Sequence, residues 1–325
     1  MIIVNILLLS IGFFALVKGA DMFVNGSSSI AARFHVPSLI IGLTLVAMGT
    51  SAPELAVSIS AALQGSNEIA ISNVVGSNLF NLLGILGICA ILKPIKVEPV
   101  VLKRDIPFSI AITLIVLITS CGMMFLKKSS LPANGALYVG TVSRIDGLFL
   151  ILIMIAYIIF LIVSAKNSAD NPNTIPQLEL KKSVISLIIG LVIIIAGGQI
   201  VVYCAKEIAR AAGMTETLIG LTVVAFGTSL PELVTSIVAI KKKESAMAVG
   251  NTIGSNIFNI LFILGISSVI HPIEVNVASY MDLIILVTAS MITLAFCLTH
   301  KKISRLEGGM MLAMYFTDMA YAIIR

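Results

Sequence analysis

The 325-residue chain has no tryptophan, only three histidines and four cysteines, and just 11% charged residues. A soluble domain carries about 25% charged residues, so this shortage excludes a water-facing surface over most of the molecule. Cys89, Cys121, Cys204 and Cys297 stand alone, with no CxxC and no His beside them. Metal and disulfide roles are thereby disfavoured, and packing is the role expected of them. The net charge of +5 comes from Lys and Arg scattered over loop ends without interleaved aromatics, which signals membrane topology rather than nucleic-acid binding.

What is present is apolar. Hydrophobic residues make up 58% of the chain and fall into ten runs, each long enough for a ~30 Å hydrocarbon layer that takes about 20 helical residues. The runs cover approximately residues 2–24, 38–63, 68–92, 106–126, 146–165, 184–209, 217–240, 245–270, 279–299 and 306–324. They predict an all-α integral membrane protein of ten transmembrane helices. The first run lacks a basic flank and continues through Gly19 and Asp21, so it reads as a spanning helix rather than a cleaved secretory signal. Alternating the connections between the two sides puts six Lys and Arg (Lys127, Lys128, Arg144, Lys206, Arg210, Arg325) with both termini and fifteen opposite. The richer side is expected to be cytoplasmic and the termini external, in a multi-pass protein of the plasma membrane.

The chain also repeats itself. Gly42 to Glu54 (GLTLVAMGTSAPE) matches Gly220 to Glu232 (GLTVVAFGTSLPE), and Gly76 to Asn81 (GSNLFN) matches Gly254 to Asn259 (GSNIFN), both 178 residues apart. The same offset relates Gly12 to Gly190, Gly19 to Gly197 and Pro94 to Pro272. Five spans per half is an odd number, so the second half must enter from the opposite side: two inverted five-helix repeats. The expected divisions are 1–165, a polar, proline-containing cytoplasmic linker at 166–183, and 184–325.

Glu54 and Glu232 lie well inside apolar runs, where a carboxylate costs several kcal/mol unless paired, protonated or cation-bound. Pro53 and Pro231 precede them and are expected to break the helix, freeing carbonyls of Gly49 and Gly227 and around Ala47 and Ala225. Thr50 shares the face of Glu54, with Ser51 adjacent, and Thr228 and Ser229 repeat this. Asn73, Ser77 and Asn81 recur every four residues as a polar stripe, mirrored by Asn251, Ser255 and Asn259. Every candidate donor is a hard oxygen. Calcium takes six to eight such ligands and two carboxylates balance its charge, whereas softer metals prefer His or Cys. Sodium accepts the same oxygens.

These motifs resemble the sodium/calcium exchangers of the calcium/cation antiporter superfamily, in its compact prokaryotic branch. The resemblance covers the whole chain, and its most specific elements are the paired segments from Gly49 to Glu54 and Gly227 to Glu232, with the two Gly-Ser-Asn segments. It implies four central helices forming the cation sites, with the first and sixth helices sliding past them. By the same resemblance, Glu54 and Glu232 bridge Ca²⁺ and Na⁺, assisted by Thr50, Thr228 and the Ala47 and Ala225 carbonyls. Ser51, Ser77, Asn81, Ser229, Ser255 and Asn259 complete the Na⁺ sites. Potassium-dependent relatives carry an acid where Asn259 stands, and proton-coupled ones a Gly-Asn-x-x-Glu-His type element absent after Asn73.

The expected function is therefore Na⁺/Ca²⁺ exchange by alternating access, with the ions as substrates rather than cofactors, no nucleic-acid partner and a monomer as the working unit. A proton-coupled or K⁺-dependent Ca²⁺/Mn²⁺ exchanger is the alternative, and a passive channel a further one. A membrane hydrolase is disfavoured, because His35, His271 and His300 all lie at span ends.

Overall fold

The computed structural model describes residues 2–126, 138–167, 178–214 and 225–324. Part of the expected linker, residues 168–177, and the Gly220-to-Val224 portion of the second repeat motif lie outside them. The chain opens with α1 (Ile2–Arg33), the broken pair α2 (Ser38–Thr50) and α3 (Ala52–Leu63), then α4 (Glu68–Leu92), α5 (Ile106–Leu126) and α6 (Arg144–Asn167). It continues with α7 (Leu180–Ala211), α8 (Ala225–Thr228), α9 (Leu230–Lys241), α10 (Ser245–Ile270), α11 (Val277–His300) and α12 (Arg305–Ile324). Among the described residues six helices are long and apolar enough to cross a membrane, and α2 with α3, bent by 49°, makes a seventh such span. Helices α5 and α12, of 21 and 20 residues, are each about 30 Å long.

Burial separates the helices into two kinds. In the most apolar window of α4, 83% of residues are buried within the protein, and 78% in α10; the figures for α1 and α7 are 22% and 28%. So α4 and α10 form the centre, while α1 and α7 turn Ile3, Leu7, Phe14, Ile188 and Val192 outward. That is tolerable only where the surroundings are themselves apolar.

α1 and α7 run antiparallel along a seam of small residues spaced by seven. A Cβ on Gly12 would meet the Gly197 carbonyl at 3.2 Å, one on Gly19 the Gly190 carbonyl at 2.9 Å, and one on Gly26 the Ser183 carbonyl at 2.7 Å. Glycine here lets two backbones approach closely, and Ser186 Oγ donates across the seam to the Met22 carbonyl at 2.9 Å. The first helix runs nine residues beyond the expected end at residue 24. Ser27, Ser28 and Ser29, read from sequence as lying outside the span, are buried in protein contacts, and that burial lets the helix continue.

Two short antiparallel sheets clip early segments to late ones. β1 (Ile95–Lys96) pairs with β4 (Lys302–Ile303), and β2 (Tyr138–Val142) pairs with β3 (Ile273–Asn276). A second pair of glycine contacts lies beneath them: Gly87 of α4 abuts Gly308 of α12, and Gly265 of α10 abuts Gly147 of α6. Each central helix therefore packs against the last helix of the opposite half.

Candidate cation site

The α2–α3 break falls at Ser51, with φ −80° and ψ 11°, and the α8–α9 break at Ser229, with φ −90° and ψ 9°. Pro53 and Pro231 occupy the first turn of the following helix, where the missing N–H is no loss because first-turn donors have no intrahelical partner. Glu54 and Glu232 also sit in that first turn, at the positive end of a new helix dipole, which favours a carboxylate.

Each glutamate is held by the opposite half. Ser229 Oγ donates to Glu54 Oε1 at 2.8 Å, and Ser51 Oγ donates to Glu232 Oε1 at 2.8 Å. Thr228 stands beside Glu54 and Thr50 beside Glu232. Thr50 Oγ1 also donates toward the Val46 carbonyl at 3.1 Å and Asn251 Oδ1 at 3.1 Å. The two carboxylates are close enough for their charges to interact, and each residue is only 1% exposed.

The second oxygen of each carboxylate has no hydrogen-bond partner, nor do Ser77 Oγ, Ser255 Oγ, Asn81 Oδ1 and Asn259 Oδ1. A buried unpaired polar group costs about 1–3 kcal/mol. Six unpaired oxygens, two of them carboxylate, on one set of converging elements leave this cluster short of hydrogen-bond donors. Asn81 and Asn259 sit in π-helical turns, Phe80–Ile85 and Asn259–Ile263, a local widening frequent at functional sites.

Eleven of the twelve residues singled out from sequence have described side chains, and the ten polar ones among them lie on the elements that meet here. Ala47 and Ala225 are the others to place. The Ala47 carbonyl accepts the Ser51 N–H at 3.0 Å and the Thr50 hydroxyl at 3.4 Å, so the break frees less of its capacity than expected. Ala225 opens α8. The polar stripes differ from expectation at one end: Asn73 and Asn251 do not offer their amides to the cavity. Asn73 Nδ2 donates to the Glu54 carbonyl at 3.1 Å and to Ser58 Oγ at 2.9 Å, and Asn251 Nδ2 to the Glu232 carbonyl at 3.4 Å and Ser236 Oγ at 3.0 Å. They hold the glutamate-bearing helices against α4 and α10.

Sequence reasoning also passed over Asn78 and Asn256. Asn78 Nδ2 donates to the Asn256 carbonyl and Asn256 Nδ2 to the Asn78 carbonyl, both at 3.2 Å. Asn81 Nδ2 donates to Asn256 Oδ1 at 3.0 Å and Asn259 Nδ2 to Asn78 Oδ1 at 2.9 Å. Both lie off the four-residue stripe; the available signal was their identical duplication inside the Gly-Ser-Asn motif.

A family model described as sodium/calcium exchanger protein matches residues 4–163 and 182–324. A protein of Alkalimonas amylolytica bearing the antiporter name CaxA is 39% identical over 324 residues, 96% of each chain. The sodium/calcium exchanger MaX1 of Methanosarcina acetivorans is 34% identical over 340 residues, 97% of each chain. Among solved structures, the sodium-calcium exchanger NCX_Mj soaked with Na⁺ and Sr²⁺ superposes with a TM-score of 0.83 at 32% identity, over 98% of this chain and 99% of that one.

Proposed function

The chain belongs to the sodium/calcium exchanger family, and from that premise we propose that it is a secondary antiporter exchanging Na⁺ for Ca²⁺ at the site between Glu54 and Glu232. The family and the fold are those of transporters, not enzymes. The observation that carries the reading is the set of six unpartnered buried oxygens. With the hydroxyls of Thr50 and Thr228, they offer the six to eight hard donors that calcium takes, and two carboxylates match its charge. Sodium competes for the same oxygens, so loading one ion displaces the other, which is the condition for countertransport.

Access alternates because the halves are inverted. Ten spans, five in residues 1–165 and five in 184–325, relate by a pseudo-two-fold axis through the site. The antiparallel α1–α7 seam supports this, since corresponding helices of inverted repeats point in opposite directions. The interruption of the family match between residues 163 and 182 supports a seam in the linker. The linker lies in the cytoplasm, both termini lie outside the plasma membrane, and one chain suffices for transport.

Purified protein in liposomes loaded with Na⁺ should take up ⁴⁵Ca²⁺ when diluted into Na⁺-free medium, and Glu54→Gln or Glu232→Gln should stop it. Uptake that follows a pH gradient without sodium would move the assignment to proton coupling. Uptake independent of any countergradient and not accelerated by internal Ca²⁺ would make the protein a channel.

A further inference from the structure

Asn81 and Asn259 are useful to a cation only through their carbonyl oxygens. An amide has two nearly isosteric orientations, and the flipped one would aim two N–H donors at the ion. Something must select between them. All four asparagines of the central crossing are at most 1% exposed, so water does not select; the selection comes from Asn78 and Asn256. The Nδ2 of Asn259 is spent on Asn78 Oδ1 at 2.9 Å and that of Asn81 on Asn256 Oδ1 at 3.0 Å. The orientation of Asn78 and Asn256 is set in turn, because each gives its own Nδ2 to the other's main-chain carbonyl at 3.2 Å. Flipping any one amide would place donor against donor or acceptor against acceptor, and in a buried network every such mismatch is expensive.

We propose that Asn78 and Asn256 are positioning residues that form a crossed clasp, each locking the ligand asparagine of the opposite half with its oxygen toward the ions. The inference rests on the reading of this cavity as the ion site. It explains why Asn81 Oδ1 and Asn259 Oδ1 are left without donors while their Nδ2 atoms are satisfied. It also requires an amide at 81 and 259, since a carboxylate there has no proton to give to Asn256 or Asn78. The wiring crosses between halves: Asn78 serves Asn259, three residues beyond its own partner Asn256, and not Asn81, which is its near neighbour in sequence.

That crossing supplies the test. Calcium binding is measured by calorimetry on detergent-purified protein for Asn78→Ala, Asn259→Ala, Asn81→Ala and the doubles N78A/N259A and N78A/N81A. Asn78→Ala should weaken binding about tenfold. N78A/N259A should be no weaker than Asn259→Ala alone, because the residue being positioned is already gone, whereas N78A/N81A should multiply the single losses. Equal multiplication in both doubles, or Asn78→Ala within twofold of wild type, overturns the proposal. If Asn78→Ala does not fold, the mirror set built on Asn256→Ala with Asn81→Ala and Asn259→Ala asks the same question. Asn78→Asp, which keeps the acceptor for Asn259 Nδ2, should then bind calcium more tightly than any folded Asn78 variant without an acceptor, and the reverse order also overturns it. The readout is equilibrium binding, so absence of Na⁺-driven flux would refute the coupling assigned above and leave this result standing.

Discussion

The interior and the rim of this molecule obey the repeat differently. In the interior the two halves repeat the hydrogen bonds around the glutamates and asparagines: Ser51 to Glu232 and Ser229 to Glu54 are both 2.8 Å, Asn73 to Ser58 and Asn251 to Ser236 are 2.9 and 3.0 Å, and the amides of Asn81 and Asn259 are held at 3.0 and 2.9 Å. At the rim the match fails. Lys242 Nζ pairs with Asp21 Oδ1 of α1 at 2.6 Å, and Glu244 is buried beside the hydroxyls of Ser38 and Ser28. The residues 178 positions away from Lys242, Asp21 and Glu244 are Gln64, Gln199 and Ser66. Hydrogen bonds repeated in both halves do not distinguish them, whereas these rim contacts do.

The largest effects should therefore be equal in the two halves. Glu54→Gln and Glu232→Gln should each reduce Na⁺-driven Ca²⁺ uptake by more than 100-fold. Uptake in proteoliposomes checks this, and one variant retaining a tenth of the rate would end the equivalence. Ser51→Ala and Ser229→Ala come next. Each removes a hydrogen bond to a charged group, worth about 1.5–3 kcal/mol. Calcium affinity should fall roughly ten- to 100-fold, since each 1.4 kcal/mol is a factor of ten, and the two losses should agree within about threefold.

The interior was the legible part, and the reason is physical. A carboxylate buried in an apolar run is costly, and two in register at Glu54 and Glu232 single out a candidate site before any coordinates exist. The direction of a hydrogen bond is not so visible. Nothing in the spacing says that Ser51 serves the distant glutamate, or that Asn73 turns away from the cavity to tie down α3. The repeat itself was read only as far as its unbroken alignment. Ser143 and Asp146 cap α6, with Ser143 N donating to Asp146 Oδ2 at 2.8 Å, and Ser304 and Glu307 cap α12, with Ser304 N donating to Glu307 Oε2 at 2.6 Å. These pairs are 161 residues apart rather than 178, so a difference of 17 residues in the preceding connections hides the correspondence. Packing reveals it, because Gly147 and Gly308 each abut a central glycine, Gly265 and Gly87.

The rim gives a titratable contrast. Burial raises the Glu244 carboxyl above the ordinary carboxylate range, with the Ser38 and Ser28 hydroxyls opposing in part. In the unfolded chain a Glu titrates near ~4.3. Between that value and the higher folded one, the folded protein binds more protons than the unfolded, so stability falls as pH rises through the window. Glu244→Gln removes this loss. Its melting temperature in detergent should match wild type at acidic pH and exceed it increasingly as pH rises through the window. A difference that stays flat with pH would remove the assigned cost of burial.

The smallest expected effect opposes two positions that share one backbone shape. Lys243 has φ 67° and its counterpart Gly65 has φ 69°, just as His35 at φ 54° answers Gly213 at φ 84°. All four follow the end of a helix, where a left-handed residue commonly closes the last turn. A side chain in that region costs about 1–2 kcal/mol, whereas glycine adopts it freely but gives up roughly 0.5–1 kcal/mol through the entropy of the unfolded chain. The balance predicts that Lys243→Gly stabilises by about 0.5–1 kcal/mol and that Gly65→Ala destabilises by a similar amount, as thermal unfolding can measure. A Cβ on Gly65 would have nothing within 4 Å, so its loss reports backbone strain alone. Opposite signs at these two sites would show that the repeat preserves the conformation of the rim while letting its residues diverge; the same sign at both would show that the lysine is held by contacts that compensate its strain.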